Sequence, residues 1–290
     1  MSEITSVYGG RATIEFDSRY HRYLVTVPGV CEKEFQPSVT AILGMKDKSN
    51  ALVTWATGCF EAKAKEYLAK LDTPVEKDLV LAIIEQSKNN YRTVKDTAAD
   101  IGTAVHDALE MTIKSRADLC PSPTLPLETV EGFTQDMVDM ANAAIQTGIQ
   151  YLNDHDIQLV QSETPRWSPY FGYVGTNDLI ARIDGKLSVL DFKTGKRLYP
   201  EVFLQTAAYQ MAYQEEFPDD LVVQRVGLNV GKDGHLEDVY RDNSTLKSDF
   251  NCFLALLEVY RWHQENVGYY SKKERKSIPT KAPRIVRPLV

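Results

Sequence analysis

The chain has 290 residues, 43% hydrophobic and 25% charged, which is enough for a well-buried core in one elaborated domain or two small ones. No apolar run approaches the roughly 20 residues that span a bilayer. The opening MSEITSVYGGRATIEFD lacks the basic-then-apolar layout of a signal peptide, so a cytoplasmic protein with no membrane contact is expected. A net charge of -7 argues against indiscriminate coating of nucleic acid but leaves room for a local basic groove.

Alternation marks the first elements. ATIEFD and RYLVTV read as strands around a turn at Asp17–Ser18. In PSVTAILG, Ser38 is a natural N-cap, and Val39, Ile42 and Leu43 share a face. Residues 49–71 and 75–91 read as helices with charged outer faces. A further helix is expected over about 96–115, with Ile101, Val105, Ala108 and Leu109 as its apolar stripe. The Pro-rich CPSPTLPLE is a loop, and a helix follows over about 129–153.

The pattern then changes. IQLVQSETPRW, FGYVGTNDLIARID and KLSVLDFKTG are strand-like, with Asp184–Gly185 as a hairpin turn between the last two. A helix over PEVFLQTAAYQMAYQEEF, strands in LVVQRVGLNVG and LEDVYRD, and a last helix over about 244–266 complete the order. That order predicts an α/β core with a mixed sheet flanked by helices. The four cysteines, Cys31, Cys59, Cys120 and Cys252, are scattered without a CxxC pair. They read as single thiols of a reduced compartment rather than a zinc or iron–sulfur site.

One segment carries chemistry. A hairpin through Asp184–Gly185 pairs residues whose numbers sum to about 369, which sets Asp178 opposite Asp191. Lys193 follows Asp191 by two residues, so both point to one face and Phe192 to the other. Two adjacent carboxylates repel unless a cation, a proton or a lysine lies between them. Hard oxygen ligands at this density suit magnesium or manganese, and a lysine beside them can orient water or stabilise charge on a phosphate. An exposed hairpin with compensating charges is the competing reading.

Other residues can join this edge. Glu163 lies one strand earlier. Gln205 and Tyr209 share a helix face, where Gln205 can hydrogen-bond a phosphate and Tyr209 can stack or donate. Gly102 and His106 lie one turn apart; the glycine is expected to relieve crowding of a histidine that can ligate metal. GKDGH at 231–235 reads as a turn and nothing more. His21, His155, His235 and His263 have no neighbours that suggest catalysis, and there is no GxxxxGK[ST], GxGxxG, HExxH or GxSxG motif. The final stretch, 271–290, carries Lys272, Lys273, Arg275, Lys276, Lys281, Arg284 and Arg287 against Glu274 alone. It is either a phosphate-binding anchor or a solvated terminus.

The ordered set of Glu163, GTND ending in Asp178, DFK at 191–193, QTAAY at 205–209 and GTAVH ending in His106 resembles the PD-(D/E)XK nuclease superfamily, in its RecB-type branch. PSVTAILGMKDKSNALVTWA is similar to the opening of phage exonucleases and of the mitochondrial genome maintenance exonuclease. The resemblance implies a restriction-endonuclease-like α/β core. In it His106, Asp178, Asp191 and the Phe192 carbonyl ligate Mg2+ or Mn2+, and Lys193 is the catalytic lysine. Glu163 is an outer acid, and Gln205 and Tyr209 order the site. The position before Asp178 is Asn177 rather than proline, and no cysteine cluster for an iron–sulfur centre is present.

The expectation is therefore a single nuclease domain acting on DNA. Residues 1–128 would be an N-terminal elaboration, 129–266 the nuclease core, and 267–290 a basic tail whose Lys272, Lys273, Arg275 and Lys276 bind nucleic acid. Helices before residue 116 would narrow access to the metal and favour an exonuclease. A site-specific endonuclease of the same fold, or a non-catalytic binding module, are the alternatives.

Overall fold

Strict alternation builds the first layer. Strands β1 (Glu3–Val7), β2 (Ala12–Asp17), β3 (Arg22–Val27) and β4 (Cys31–Gln36) form an antiparallel meander in sequence order. Ala12, Ile14, Val25 and Val27 point inward and bury against Trp167 and Val174 of a second sheet. These coordinates are a computed structural model that describes residues 3–20, 22–71 and 75–266. His21 and the basic stretch with Lys272, Lys273, Arg275 and Lys276 lie outside the described residues.

Four helices follow: α1 (Val39–Leu43), α2 (Ser49–Leu68), α3 (Lys77–Ser87) and α4 (Asn90–Arg116). Ser38 caps α1 as expected, its Oγ accepting from the Ala41 N–H at 3.0 Å. Helix α4 starts about six residues earlier than the periodicity indicates, because no Gly or Pro interrupts 75–101. Helix α5 (Gln135–Asp154) starts later than expected. Gly132 at φ 81 breaks the chain, and Thr134 then caps the helix.

The main sheet comprises β5 (Ile157–Ser168), β6 (Tyr173–Ile183), β7 (Lys186–Lys193), β8 (Gln224–Val230) and β9 (Leu236–Asp242), in that spatial order. Only β7 and β8 pair in parallel, joined through α6 (Val202–Glu216); the other neighbours are antiparallel. The sheet is thus mixed, as predicted. Asp184 and Gly185 both take positive φ, 50° and 78°, the geometry of a tight two-residue hairpin. Pairs such as Leu179↔Leu190 and Ile183↔Lys186 give the register read from the sequence. Helix α7 (Leu246–Asn266) closes the described chain.

Helices cover both faces. On one, Val105 and Leu109 of α4 and Ile145 and Leu152 of α5 pack with Leu179, Leu190, Phe192 and Leu228. On the other, α1, α6 and α7 bury Val39, Ala208 and Phe253 with Ile180 and Val189. Helix α4, which the sequence groups with the N-terminal elaboration, is therefore an integral part of the main core. It approaches α5 closely because Gly148 has no side chain; a Cβ there would lie 2.6 Å from Leu109 Cδ2.

Buried polar groups fasten the meander to the core. Glu216 of α6 pairs with Arg166 and accepts the Tyr8 N–H at 2.6 Å. Its neighbour Glu215 accepts from Ser168 Oγ at 2.7 Å. Burial pushes the Glu215 carboxyl from 4.5 up to about 7. The folded protein therefore holds this proton where the unfolded chain releases it, so Glu215 makes stability fall as pH rises from about 4.5 to about 7. Glu215→Gln, which can still accept from Ser168, should flatten stability against pH in that window and raise it at pH 8. Denaturant unfolding at several pH values checks this; an unchanged slope would contradict it.

Candidate active site

Register brings acids together at one edge of the main sheet. Ser162↔Leu179 and Thr164↔Asn177 flank the β5–β6 position where Glu163 faces Asp178. Leu179↔Leu190 then sets Asp178 beside Asp191 on β7. Regular pairing stops here. Instead, the Asp178 carboxylate reaches across and accepts the Phe192 N–H at 2.6 Å. Glu163 has φ 43°, a left-handed conformation uncommon outside glycine, at a cost of roughly 1–3 kcal/mol. Strain of that kind persists where surrounding structure over-determines the backbone, and here it sits beside the acids.

Helix α4 crosses this edge. His106 Nδ1 lies 3.7 Å from Asp178 Oδ2, and its ring meets Phe192 edge-on with centroids 5.9 Å apart. Burial holds the His106 pKa below its ordinary value, with Lys193 adding to that and Asp191 opposing it. A neutral imidazole is the form that ligates metal. Gly102 serves a different neighbour from the one expected: a Cβ there would meet Thr194 Oγ1 at 3.2 Å, and no His106 side-chain atom lies within 4 Å. The glycine lets α4 approach the end of β7 rather than uncrowding the histidine. One turn beyond His106, Glu110 accepts from Ser162 Oγ at 3.1 Å and pairs with Lys114. Sequence reasoning missed Glu110; its i+4 spacing from His106 was the available signal.

The electrostatics are those of crowded acids. Burial pushes Asp178 and Asp191 each up to about 6, against the pull of Lys193. Burial in the cleft, then repulsion from Asp178, Glu110 and Asp107, pushes Glu163 up to about 8, although its outer atoms remain exposed. Burial alone would lower Lys193, but Asp191 and Asp178 outweigh it and hold the ammonium above its ordinary value. Lys193 pairs directly with Asp191, as its i, i+2 placement implies.

These groups fit a divalent cation. Ligand atoms of His106, Glu163 and Asp178 all lie within 4.8 Å of one another. Asp191 is fully buried with neither oxygen hydrogen-bonded, so ion pairing is its only compensation. Two expected positions differ in detail. Glu163 joins the potential ligand set directly rather than as an outer acid, while Asp191 lies outside that three-residue group and turns to Lys193. A hard ion among these carboxylates would offset the burial that raises all three acids, and the repulsion between neighbouring acids that adds to it.

Helix α6 closes the other side. Gln205 Nε2 donates to Tyr209 OH at 2.8 Å. Tyr209 is buried, 3% exposed, which removes it from direct stacking on a ligand. It fits only because Gly175 has no side chain; a Cβ there would meet the Tyr209 ring and, at 2.7 Å, Val39 Cγ2.

The PD-(D/E)XK nuclease superfamily model matches residues 84–274, a span containing every residue of this site. The chain belongs to this superfamily. Among solved structures, a "Putative exonuclease" from Eubacterium rectale is similar at 13% identity and a TM-score of 0.38, over 63% of this chain and 77% of that one. No curated protein matches the sequence. Membership makes the chain a nuclease with a nucleic-acid substrate, and nucleases of this superfamily use divalent metals. No helix among the described residues is long and apolar enough to cross a membrane.

The nuclease has a further support that its sequence concealed. Asn229 of β8, fully buried, pairs in register with Lys193. Its amide clamps the next loop from both sides: Oδ1 accepts the Gly195 N–H at 2.9 Å, and Nδ2 donates to the Gly195 carbonyl at 3.1 Å. Nδ2 also lies 3.1 Å from His235 Nε2, whose other ring nitrogen is 2.6 Å from Asp233 Oδ1. Because Nδ2 is a donor, His235 Nε2 accepts and Nδ1 carries the proton toward Asp233. GKDGH is a turn, as read, but it also braces the loop after Lys193. Gly231 is required, since a Cβ there would run into the His235 ring.

Asn229→Leu removes this clamp while keeping an apolar filler of similar size. Net stability should fall by about 0.5–1.5 kcal/mol for each hydrogen bond lost. The Gly195 amide should exchange with solvent at the rate of an open loop. Hydrogen exchange followed by NMR reads this directly, and unchanged protection at Gly195 would show that something else holds the loop.

Proposed function

We propose that the chain is a divalent-metal-dependent DNA exonuclease that hydrolyses phosphodiester bonds from strand ends. We place it in the RecB-like branch, alongside phage exonucleases and the mitochondrial genome maintenance exonuclease. One observation carries the reading. His106 rides on α4, before the main sheet in sequence, yet lies 3.7 Å from Asp178 at that sheet's edge. The early helical segment thus packs over the acids, which suits a strand end entering the site better than an uninterrupted duplex. We further propose that residues 1–290 act as one nuclease unit, with Lys272, Lys273, Arg275 and Lys276 as a sequence-blind phosphate anchor.

In this reading His106, Glu163 and Asp178 would hold the ion, with Asp191 and the Phe192 carbonyl as further ligands. Bound Mg2+ or Mn2+ would supply a Lewis acid for the scissile phosphate and a more acidic water. The chain's own groups do the rest. Lys193, kept protonated by Asp191 and Asp178, aims its charge where negative charge grows on the phosphate. Gln205, braced by Tyr209, orients the phosphate or the attacking water. Neutral His106 keeps a nitrogen lone pair available for the ion.

Two experiments test this. Closed single-stranded circles and a linear strand of the same sequence are incubated with magnesium or manganese. The linear strand should shorten progressively while circles survive. Nicking of circles at a comparable rate would replace the exonuclease with an endonuclease, and no cleavage in any divalent metal would leave a binding module.

Site variants separate the roles. Asp191→Asn should abolish cleavage with the fold intact, and wild-type rates would contradict the assignment. Lys193→Ala should lower turnover by roughly 10²–10³ with little change in substrate affinity. Equal losses in both would make Lys193 a plain phosphate-binding group.

A further inference from the structure

A cavity of about 760 Å³ opens beside Lys193 and Gln205, between the start of α2 and the loop joining β7 to α6. Lys46 and Lys48 line one wall, and Arg197 and Tyr199 the other. The two lysines share a single acid, Glu201, at 2.8 and 3.6 Å. Asp47, the other acid of the lining, is engaged in capping the start of α2, accepting the Ser49 N–H at 2.8 Å. Cations thus outnumber acids here, in a chain whose net charge is -7.

The same walls present apolar faces to solvent. Trp55 is 37% exposed, Tyr199 52% and Leu52 55%. Helix α2, although 20 residues long, buries none of its side chains. Its packing is against α3 and α4, and Leu52 and Trp55 are left open to the groove. Both rings are pre-positioned. Trp55 meets Tyr91 edge-on at 6.4 Å, and the Arg197 guanidinium lies 5.0 Å from the Tyr199 ring centre.

Cations interleaved with exposed aromatic rings suit a ligand that offers anions and flat apolar faces at the same reach. A duplex offers only the anions, because its base faces are stacked inside. An unpaired strand offers both. A second protein copy or an acidic peptide would satisfy the lysines, but only an unpaired strand repeats an anion and a flat face at every unit. We propose that this groove is a subsite for a single-stranded polynucleotide, with Trp55 and Tyr199 stacking on bases and Lys46, Lys48 and Arg197 holding phosphates on the way to Lys193. The direction of travel rests on the nuclease reading; binding in the groove does not.

The test uses the full chain in EDTA, where no metal-dependent cleavage competes. Titration with a short oligothymidylate should quench tryptophan emission, and Trp55→Leu should remove most of that quenching. Trp55→Leu and Tyr199→Leu should each weaken the oligothymidylate about tenfold, the scale of one lost base stack. The matching duplex should compete poorly. Tyr199→Leu lies off α2, so it still reports if Trp55→Leu fails to fold. In metal, both variants should raise KM for linear strands and leave kcat near wild type.

Wild-type affinity in both variants, or a duplex that competes as well as the single strand, would overturn the subsite. Cleavage of linear strands with unchanged KM in both variants would overturn it too and leave the nuclease reading standing. Trp55-dependent binding without cleavage in any metal would support the groove and sink the nuclease reading instead.

Discussion

The withdrawal of neighbouring carboxylates from water is the constraint on which this molecule turns. Glu163, Asp178 and Asp191 stand side by side on three adjacent strands, and each is pushed above its ordinary pKa. Hydrophobic collapse would not choose such an arrangement. It survives because each acid has a partial counterweight: the Phe192 N–H for Asp178, Lys193 for Asp191, and proximity to solvent for Glu163. None of these neutralises the set, and Asp191 retains two buried oxygens without a hydrogen bond. A buried charge left this way is expensive unless paired. The surrounding fold must carry the cost of holding these groups together.

Close packing on both faces of the sheet carries it. Helix α4 can deliver His106 because Gly148 lets α4 and α5 nearly touch and Gly102 clears Thr194. Helix α6 can deliver Gln205 because Gly175 makes space for the Tyr209 ring beneath it. Missing side chains at the backbone, rather than flexible ones at the surface, thus set where the functional groups stand. Far from the acids, buried ion pairs lock the outer elements. Arg225 joins β8 to α7 through Asp249 at 2.7 Å, and Arg241 meets the same carboxylate at 2.8 Å. That rigidity lets a repulsive cluster keep its geometry.

Much of this was legible in the sequence where local rules act alone. A two-residue turn fixes hairpin register, so Asp184–Gly185 sufficed to set Asp178 beside Asp191. Ser38 announced its helix, and the stripe from Ile101 to Leu109 announced α4's buried face. What stayed hidden depends on tertiary approach. The left-handed Glu163, with its carboxylate near His106, follows from a backbone strain that no residue type signals. Nothing in the spacing of LVVQRVGLNVG sets Asn229 apart; only the parallel pairing with β7 puts it under Gly195. The Gly102 reading failed for the same reason, since sequence spacing pointed to the helix's own histidine and the real neighbour came from another element.

Acids gather around Glu163 and Asp178, while cations outnumber acids in the groove that reaches Lys193. Asp107, Glu110 and Asp178 act on Glu163, and Lys46, Lys48 and Arg197 line the groove. A polyanionic strand is drawn to the basic side and repelled by the acidic one, at distances where salt screens the field only partly. A phosphate can thus reach Lys193 unaided but meets like charge on the next step. A divalent cation held among the acids would reverse the sign of that step alone. Binding along the groove and entry to the acids are then governed by different charges. The same logic explains why an acidic chain can handle an acidic substrate: what matters is the field along the strand's path, not the sum over the surface.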